Sequence, residues 1–237
     1  MDNAIYTTLT RQSGLMREMQ VVANNIANTA TTGFRQEGLI FSEHVKRIEG
    51  GPSLSMATAS VRHMSMIQGG LTQTGGPLDL AIEGDAFFLI GTPDGQRLTR
   101  SGHFTSSAEG QLVTVNGHQV LDEGGAPIFI PPDAVDLSFA ADGTISAGGV
   151  PLGQVGLVRP VDPTALIREG GVLFRSDAGV EPAEDGRLLQ GFLEASNVDS
   201  IGQITRMIEV QRAYEMGQSL LEREDERIRT AIKTFVR

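Results

Sequence analysis

The placement of proline limits this chain more than any other feature. All ten prolines fall between Pro52 and Pro182, so both ends lack the residue that removes a helix hydrogen bond and clashes with the preceding turn. Long helices are therefore predicted at both ends, with a different kind of structure between them. In the N-terminal stretch Ile5, Leu9, Gln12, Met16, Met19, Ala23 and Ile26 recur at alternating steps of four and three, the spacing of a heptad seam with one polar member. Leu15 and Val22 stand one position before Met16 and Ala23 and form a second apolar stripe. Thr31-Thr32-Gly33 supplies β-branched residues and then a glycine, which predicts a helix stop.

At the other end, Ser200 followed by Gln203 reads as a capping box, with Asp199 placed to complement the helix dipole. From there Met207, Val210, Tyr214, Gly217, Leu221, Glu224, Ile228, Ala231 and Phe235 keep three-four spacing. Ile201, Ile204 and Ile208 add an adjacent apolar stripe, and the mixed-charge run from Glu222 to Arg229 reads as a solvated face.

Between the helices short apolar runs are cut by turn chemistry, and most of the 29 glycines lie there. That texture predicts β structure. Leu78, Leu80 and Ile82 alternate, and Ala86 to Ile90 runs into the turn Thr92-Pro93-Asp94-Gly95. Gln111 to Val115, Asn116-Gly117 and His118 to Leu121 form the best hairpin signal. Further strands are predicted at 128–130, 135–139, 155–158, 172–174 and 188–193. The expected fold class is α+β: terminal helices (1–33 and 194–237) paired as a coiled-coil-like layer, an extended arm of low regularity (34–77), and a central all-β domain (78–193).

At 1.5 Å per residue the terminal helices would be roughly 40 and 55 Å long, so they project from a small β domain. Each buried large apolar side chain contributes about 1.5–3 kcal/mol, so half a dozen seam positions per helix represent roughly 10 kcal/mol that a lone helix leaves unrealised. Pairing the two helices covers one stripe on each and leaves the second stripes for neighbours, which favours assembly over a simple dimer. The alternative is a compact monomer with its helices folded onto the β domain.

The remaining composition narrows the function by exclusion. With 237 residues the chain can bury a core without staples. A formal charge of -10 argues against nucleic acid as a partner. No cysteine means no disulfide or thiolate metal site. No basic and apolar leader is visible, and the longest compact apolar run, Ala86 to Ile90, is far too short to cross a membrane. His44, His63, His103 and His118 lie in separate segments without metal-ligand spacing. No nucleophile elbow, phosphate loop or dinucleotide fingerprint occurs. Asp79, Glu83 and Asp85 could mimic a glycosidase pair, but an alternating strand would leave Asp79 exposed; the same objection meets Asp133, Asp136 and Asp142. The expectation is a protein that is not an enzyme, with no cofactor, metal or small-molecule substrate.

Several blocks then resemble one family. Ala23-Asn24-Asn25-Ile26-Ala27-Asn28 with Thr32-Gly33-Phe34-Arg35 resembles the N-terminal signature of flagellar rod and hook proteins. Leu78-Asp79-Leu80-Ala81-Ile82-Glu83-Gly84, Phe87-Phe88, and Arg97-Leu98-Thr99-Arg100-Ser101-Gly102-His103-Phe104 are similar to its central β motif, continued by Gly110-Gln111-Leu112-Val113. Leu193-Glu194-Ala195-Ser196-Asn197-Val198-Asp199 and Met207-Ile208-Glu209-Val210-Gln211-Arg212-Ala213-Tyr214-Glu215 resemble its C-terminal signature. Length and opening residues look most like the proximal-rod (FlgF-type) branch, with the distal-rod (FlgG-type) branch as the alternative.

The resemblance implies a subunit of the basal-body rod in the periplasmic space that passes torque to the hook. It also implies export by the flagellar type III apparatus without a cleaved leader, and assembly with other rod proteins and with copies of itself. It implies an inner helical layer with the β domain outside, and an assembly interface on Ile5, Leu9, Leu15, Met16, Met19, Val22, Asn24, Asn25, Ile26 and Asn28 of the first helix. On the second helix the corresponding residues are Ile201, Ile204, Met207, Ile208, Gln211, Tyr214, Leu221 and Ile228. Asn24 and Asn28, one turn apart, either hydrogen-bond between protomers or lie on a solvated face. The competing functions are a secreted β-domain hydrolase with helical oligomerisation tails and a cytoplasmic coiled-coil adaptor.

Overall fold

The computed structural model describes residues 2–46, 54–183 and 185–235. Two long helices bracket the chain, α1 (Asp2–Ala27) and α2 (Ser200–Phe235). Between them run β1 (Glu37–Lys46), β2 (Leu54–Met64), β3 (Leu71–Gln73), β4 (Leu80–Glu83), β5 (Phe87–Thr92), β6 (Gly95–Thr99), β7 (Phe104–Ser106), β8 (Leu112–Thr114) and β9 (Gln119–Val120). There follow β10 (Leu137–Phe139), β11 (Thr144–Ala147), β12 (Val150–Gln154), β13 (Leu157–Pro160), β14 (Leu166–Arg168), β15 (Leu173–Ser176), β16 (Val180–Pro182), β17 (Arg187–Gln190) and β18 (Phe192–Glu194). The class is α+β. The chain divides into two compact units: α1, α2 and the β1–β2 pair form one, and Asn28–Gln36 with Met64–Val198 form the other.

In the helical unit α2 starts one residue earlier than a Ser200 cap would require. Asp199 is the N-cap: its Oδ1 accepts from Ile201 N at 3.2 Å and its carbonyl from Gln203 N at 2.9 Å, so the carboxylate sits where the helix dipole is positive. The arm expected to be irregular is instead largely strand, with β1 paired to β2. The sequence from Gly50 to Pro52 lies outside the described residues.

The second unit centres on a nine-stranded sheet whose path runs β14-β15-β6-β5-β9-β8-β7, with β13 paired to β5 and β16 to β13. A three-stranded sheet β10-β11-β12 and the pairs β17-β4 and β18-β3 complete it. Strand β5 shows how the core divides. Phe88 and Ile90 point into a cluster with Leu80, Ile82, Phe104 and Leu112, while Phe87 and Leu89 point into another with Leu98, Leu121, Val158 and Phe174. The alternation of period two is therefore present, but both faces are covered. Strand β4 departs from the predicted in-out pattern for the same reason, since Leu80, Ala81 and Ile82 are all buried.

The hairpin between β8 and β9 carries a three-residue loop, not a two-residue turn at Asn116-Gly117. Thr114 N donates to His118 O at 2.8 Å and Gly117 N to Thr114 O at 2.8 Å, with Gly117 at φ 82°, the pattern of a turn followed by a glycine bulge. The run 188–193 is split into β17 and β18 by Gly191 at φ 75°.

Candidate functional site

Two arrangements stand out, one in each unit. In the β unit three distant segments meet at a buried charge cluster. Glu194 accepts from Arg35 Nη2 at 3.0 Å through Oε1 and from Arg100 Nε at 2.7 Å through Oε2, and the three side chains are between 0% and 2% exposed. One carboxylate cannot neutralise two guanidinium groups, and main-chain carbonyls take up most of the remaining donors, with Arg35 Nε left buried and unpartnered. Arg100 donates to Gly84 O at 2.8 Å, to Ile82 O at 3.1 Å and to Ala86 O. Arg35 donates to Met66 O at 3.2 Å and to Ile67 O. Burial pushes the Arg35 guanidinium down to about 10, against the attraction of Glu194, and it lowers Arg100 as well. The field of Asp85 opposes both shifts, so this carboxylate, once a candidate for catalysis, acts as a distant counter-charge.

The surrounding backbone is drawn tight. Gly69 N donates to Glu194 Oε1 at 3.0 Å and Gly33 N to Glu194 O at 2.8 Å. Asn197 bridges both sides, its Oδ1 accepting from Gln36 N at 2.6 Å and its Nδ2 donating to Ile67 O at 2.7 Å. Arg168 stacks over Phe34 and Phe174, with centroid distances of 4.3 and 4.8 Å. Two glycines make the approach possible. A Cβ on Gly33, which sits at φ +68°, would lie 2.3 Å from Ser101 N, and one on Gly102 would lie 1.6 Å from Leu80 O.

In the helical unit α1 and α2 pack together. The contact face of α2 runs Gln203, Met207, Val210, Tyr214, Gly217, Leu221 and Glu224, all buried or half-buried, as its heptad predicts. On α1 the predicted seam is wrong in phase. Leu9 and Met16 are 49% and 41% exposed, and the buried positions are Gly14, Glu18, Val21, Val22 and Asn25. Glu18 goes inward because Arg206 of α2 reaches it at 2.7 Å, and that bond holds the Arg206 guanidinium above its ordinary value. Asn25 goes inward because its amide is fully used: Nδ2 donates to Glu37 O at 2.7 Å and Gln203 Oε1 at 3.1 Å, while Oδ1 accepts from Glu37 N at 3.0 Å. Gln12 Nε2 donates to Tyr214 O at 3.3 Å.

The residues singled out from sequence thus scatter. Val22 and Asn25 are buried; Leu15, Met19, Ile26, Met207, Tyr214 and Leu221 are half-buried; Asn24 and Gln211 are exposed. Asn28 lies in the turn beyond α1, where its Oδ1 accepts from Thr31 Oγ1 at 3.1 Å. Ile201, Ile204, Ile208 and Ile228 are 79%, 50%, 45% and 36% exposed. Ile5 lies in α1, with its side chain outside the described part. Arg35, Arg100 and Glu194 went unassigned, although each stands in a motif; a charged residue inside an apolar, glycine-rich block was the available signal.

Asp79 is not exposed as an alternating strand would have it. Its Oδ1 lies 2.6 Å from His103 Nδ1 and its Oδ2 accepts from Thr74 Oγ1 at 2.6 Å. Burial alone would raise this carboxyl, but the hydrogen bonds from Thr74 and His103 outweigh it and hold it below the usual aspartate range. Its contribution to stability is therefore present above the ordinary aspartate pKa of about 4 and lost as pH falls through the lowered value. Asp79→Asn is expected to melt below wild type at pH 7, with the gap closing as pH falls through the lowered carboxyl value; a constant gap across that range would rule out this titration. Among the described residues no group of three or more metal-ligating side chains occurs, and no helix is long and apolar enough to cross a membrane.

Three family models match in chain order: "Flagella basal body rod protein" over residues 5–35, "Flagellar hook protein FlgE/F/G D1 domain" over 81–147, and "Flagellar basal body rod FlgEFG protein C-terminal" over 189–234. The "Flagellar basal-body rod protein FlgF" of Caulobacter vibrioides is 40% identical, over 98% of this chain and 98% of its own. This chain belongs to the flagellar basal-body rod family. FlgF of Mesorhizobium japonicum is 37% identical over 99% of this chain and 98% of its own. The rod protein FlgG of Bacillus subtilis is 33% identical over 94% and 95%. Each of the three matched rod-family segments supplies, or lies closest in sequence to, one member of the charge cluster: Arg35, Arg100 and Glu194.

Proposed function

We propose that this chain is a structural subunit of the proximal rod of the bacterial flagellum. In this reading it stacks with other rod subunits and with its own copies into a helical tube that carries torque from motor to hook. The subunit is exported through the flagellar type III apparatus and assembles in the periplasmic space. Identity to FlgF proteins over nearly the whole chain carries the reading and favours the proximal over the distal branch. The physical support is the apolar surface that the α1–α2 pair leaves in water: Leu9 and Met16 on α1, and Ile201, Ile204 and Ile208 on α2. A coiled-coil-like pair of this kind, with apolar side chains on its outer faces, suits a tube in which every helix has neighbours on several sides.

The test is made in cells lacking the native gene. Ile201→Asp/Ile204→Asp/Ile208→Asp is expected to abolish swimming and stall rod growth at the proximal stage, while the purified variant keeps the melting transition of its β unit. Normal rods in that strain would defeat the proposal, and a stall only at the distal stage would move the chain to the FlgG-type branch.

A further inference from the structure

The two flanks of α2 beside its contact with α1 differ in a way that points to a particular neighbour. On one flank Ile201, Ile208, Glu215 and Glu222 recur every seven residues, with Ile204 on the same side. The flank is isoleucine at its start and acidic further along. Among the described residues Glu215 and Glu222 accept only from glutamines of their own helix, Gln211 Nε2 at 3.0 Å and Gln218 Nε2 at 3.4 Å. The opposite flank has the reverse character. Met216 and Leu220 are 68% and 50% exposed, and Arg223 and Arg227 follow each of them by seven residues. Arg223 is in no ion pair among the described residues, and Arg227 holds Glu224 at 2.6 Å. Beneath Met216 and Leu220 lies a hollow of about 220 Å³ lined also by Leu15, Ala213, Gly217 and Arg11. Gly217 adds no side chain to it, and a Cβ there would lie 3.1 Å from Nε2 of Gln12.

Resting on the rod-subunit reading, we infer that the isoleucine-and-glutamate flank of α2 docks on the methionine-leucine-arginine flank of α2 in a second copy of this chain. A ridge and a hollow of matching apolar character, each extended by charges of opposite sign, lie on two sides of one helix. The contact is therefore heterologous, and repeating it gives an open array, not a closed dimer. The register follows from the same residues. Sliding one helix by twelve residues, about 18 Å at 1.5 Å per residue, brings Ile204 and Ile208 level with Met216 and Leu220, and Glu215 level with Arg227.

Two charge-reversed versions of the full-length chain test this: Arg223→Glu/Arg227→Glu, with both flanks acidic, and Glu215→Lys/Glu222→Lys, with both flanks basic. By sedimentation at rising concentration, wild type is expected to associate more weakly as salt increases, and each variant alone to need on the order of tenfold more protein. An equimolar mixture is expected to recover association, because each variant then offers the other its complementary flanks; variants that merely misfolded would not rescue each other. Variants that associate like wild type, or a mixture no better than its components, would overturn the flank assignment and leave the rod-subunit reading standing. A wild type that stays monomeric at every concentration would overturn the self-contact. The rod-subunit reading itself is decided separately, by the isoleucine triple variant in cells.

Discussion

Glu194→Ala is expected to lower the stability of the β unit by about 3–5 kcal/mol, the cost of leaving buried charge without its partner. Two guanidinium groups would remain in a site with no exposed surface and only carbonyl dipoles to hold them. Glu194→Gln should recover part of the loss, since an amide can accept one of the two bonds but carries no charge. Replacing all three members together, Arg35→Met/Arg100→Met/Glu194→Leu, should cost less than the single change, because an apolar filling has no ion to desolvate. The measurement is scanning calorimetry: there is no tryptophan, and both tyrosines, Tyr6 and Tyr214, lie in the helical unit. A loss under about 1 kcal/mol for Glu194→Ala would mean that water or relaxation shields the arginines.

The second large effect needs only one methyl group. Gly102 is not at positive φ, so its requirement is purely spatial: a Cβ there would sit 1.6 Å from Leu80 O and 2.6 Å from Leu80 C. Leu80 is fully buried, and its N–H donates to Gly102 O at 2.9 Å, so the two segments cannot move apart without opening both this hydrogen bond and the core. Gly102→Ala is expected to cost about 3 kcal/mol or more, at or beyond the upper end of overpacking penalties. Gly153→Ala serves as the control. Nothing lies within 4 Å of a Cβ at that position and its φ is ordinary, so a change within about 0.5 kcal/mol is expected. Equal melting temperatures for the two variants would refute the steric account.

The helices were legible because proline and heptad spacing act locally, and on α2 the phase was right because Met207, Val210, Tyr214 and Leu221 are both apolar and inward. On α1 the apolar phase misled. The inward residues include Glu18 and Asn25, whose burial depends on Arg206, Gln203 and Glu37, partners far along the chain that no local pattern reveals. Strands β5, β10, β13 and β15 were visible as apolar runs. Strands β6, β11, β12 and β16 were not, since Gly95-Gln96-Arg97 and Val150-Pro151-Leu152-Gly153 carry neither alternation nor a continuous apolar stretch. The charge cluster was least legible of all, because a buried arginine and an exposed one look alike until the third dimension supplies the carboxylate.

That cluster also sets an order of events. Arg35 and Arg100 come early in the chain, and the carboxylate that reconciles them waits until Glu194, just ahead of the last helix. Closing such long loops is slow and yields nothing until the final partner arrives. Until that closure the two guanidinium groups have no carboxylate to be buried against, so the β unit reaches its full stability only with the segment around Glu194 in place.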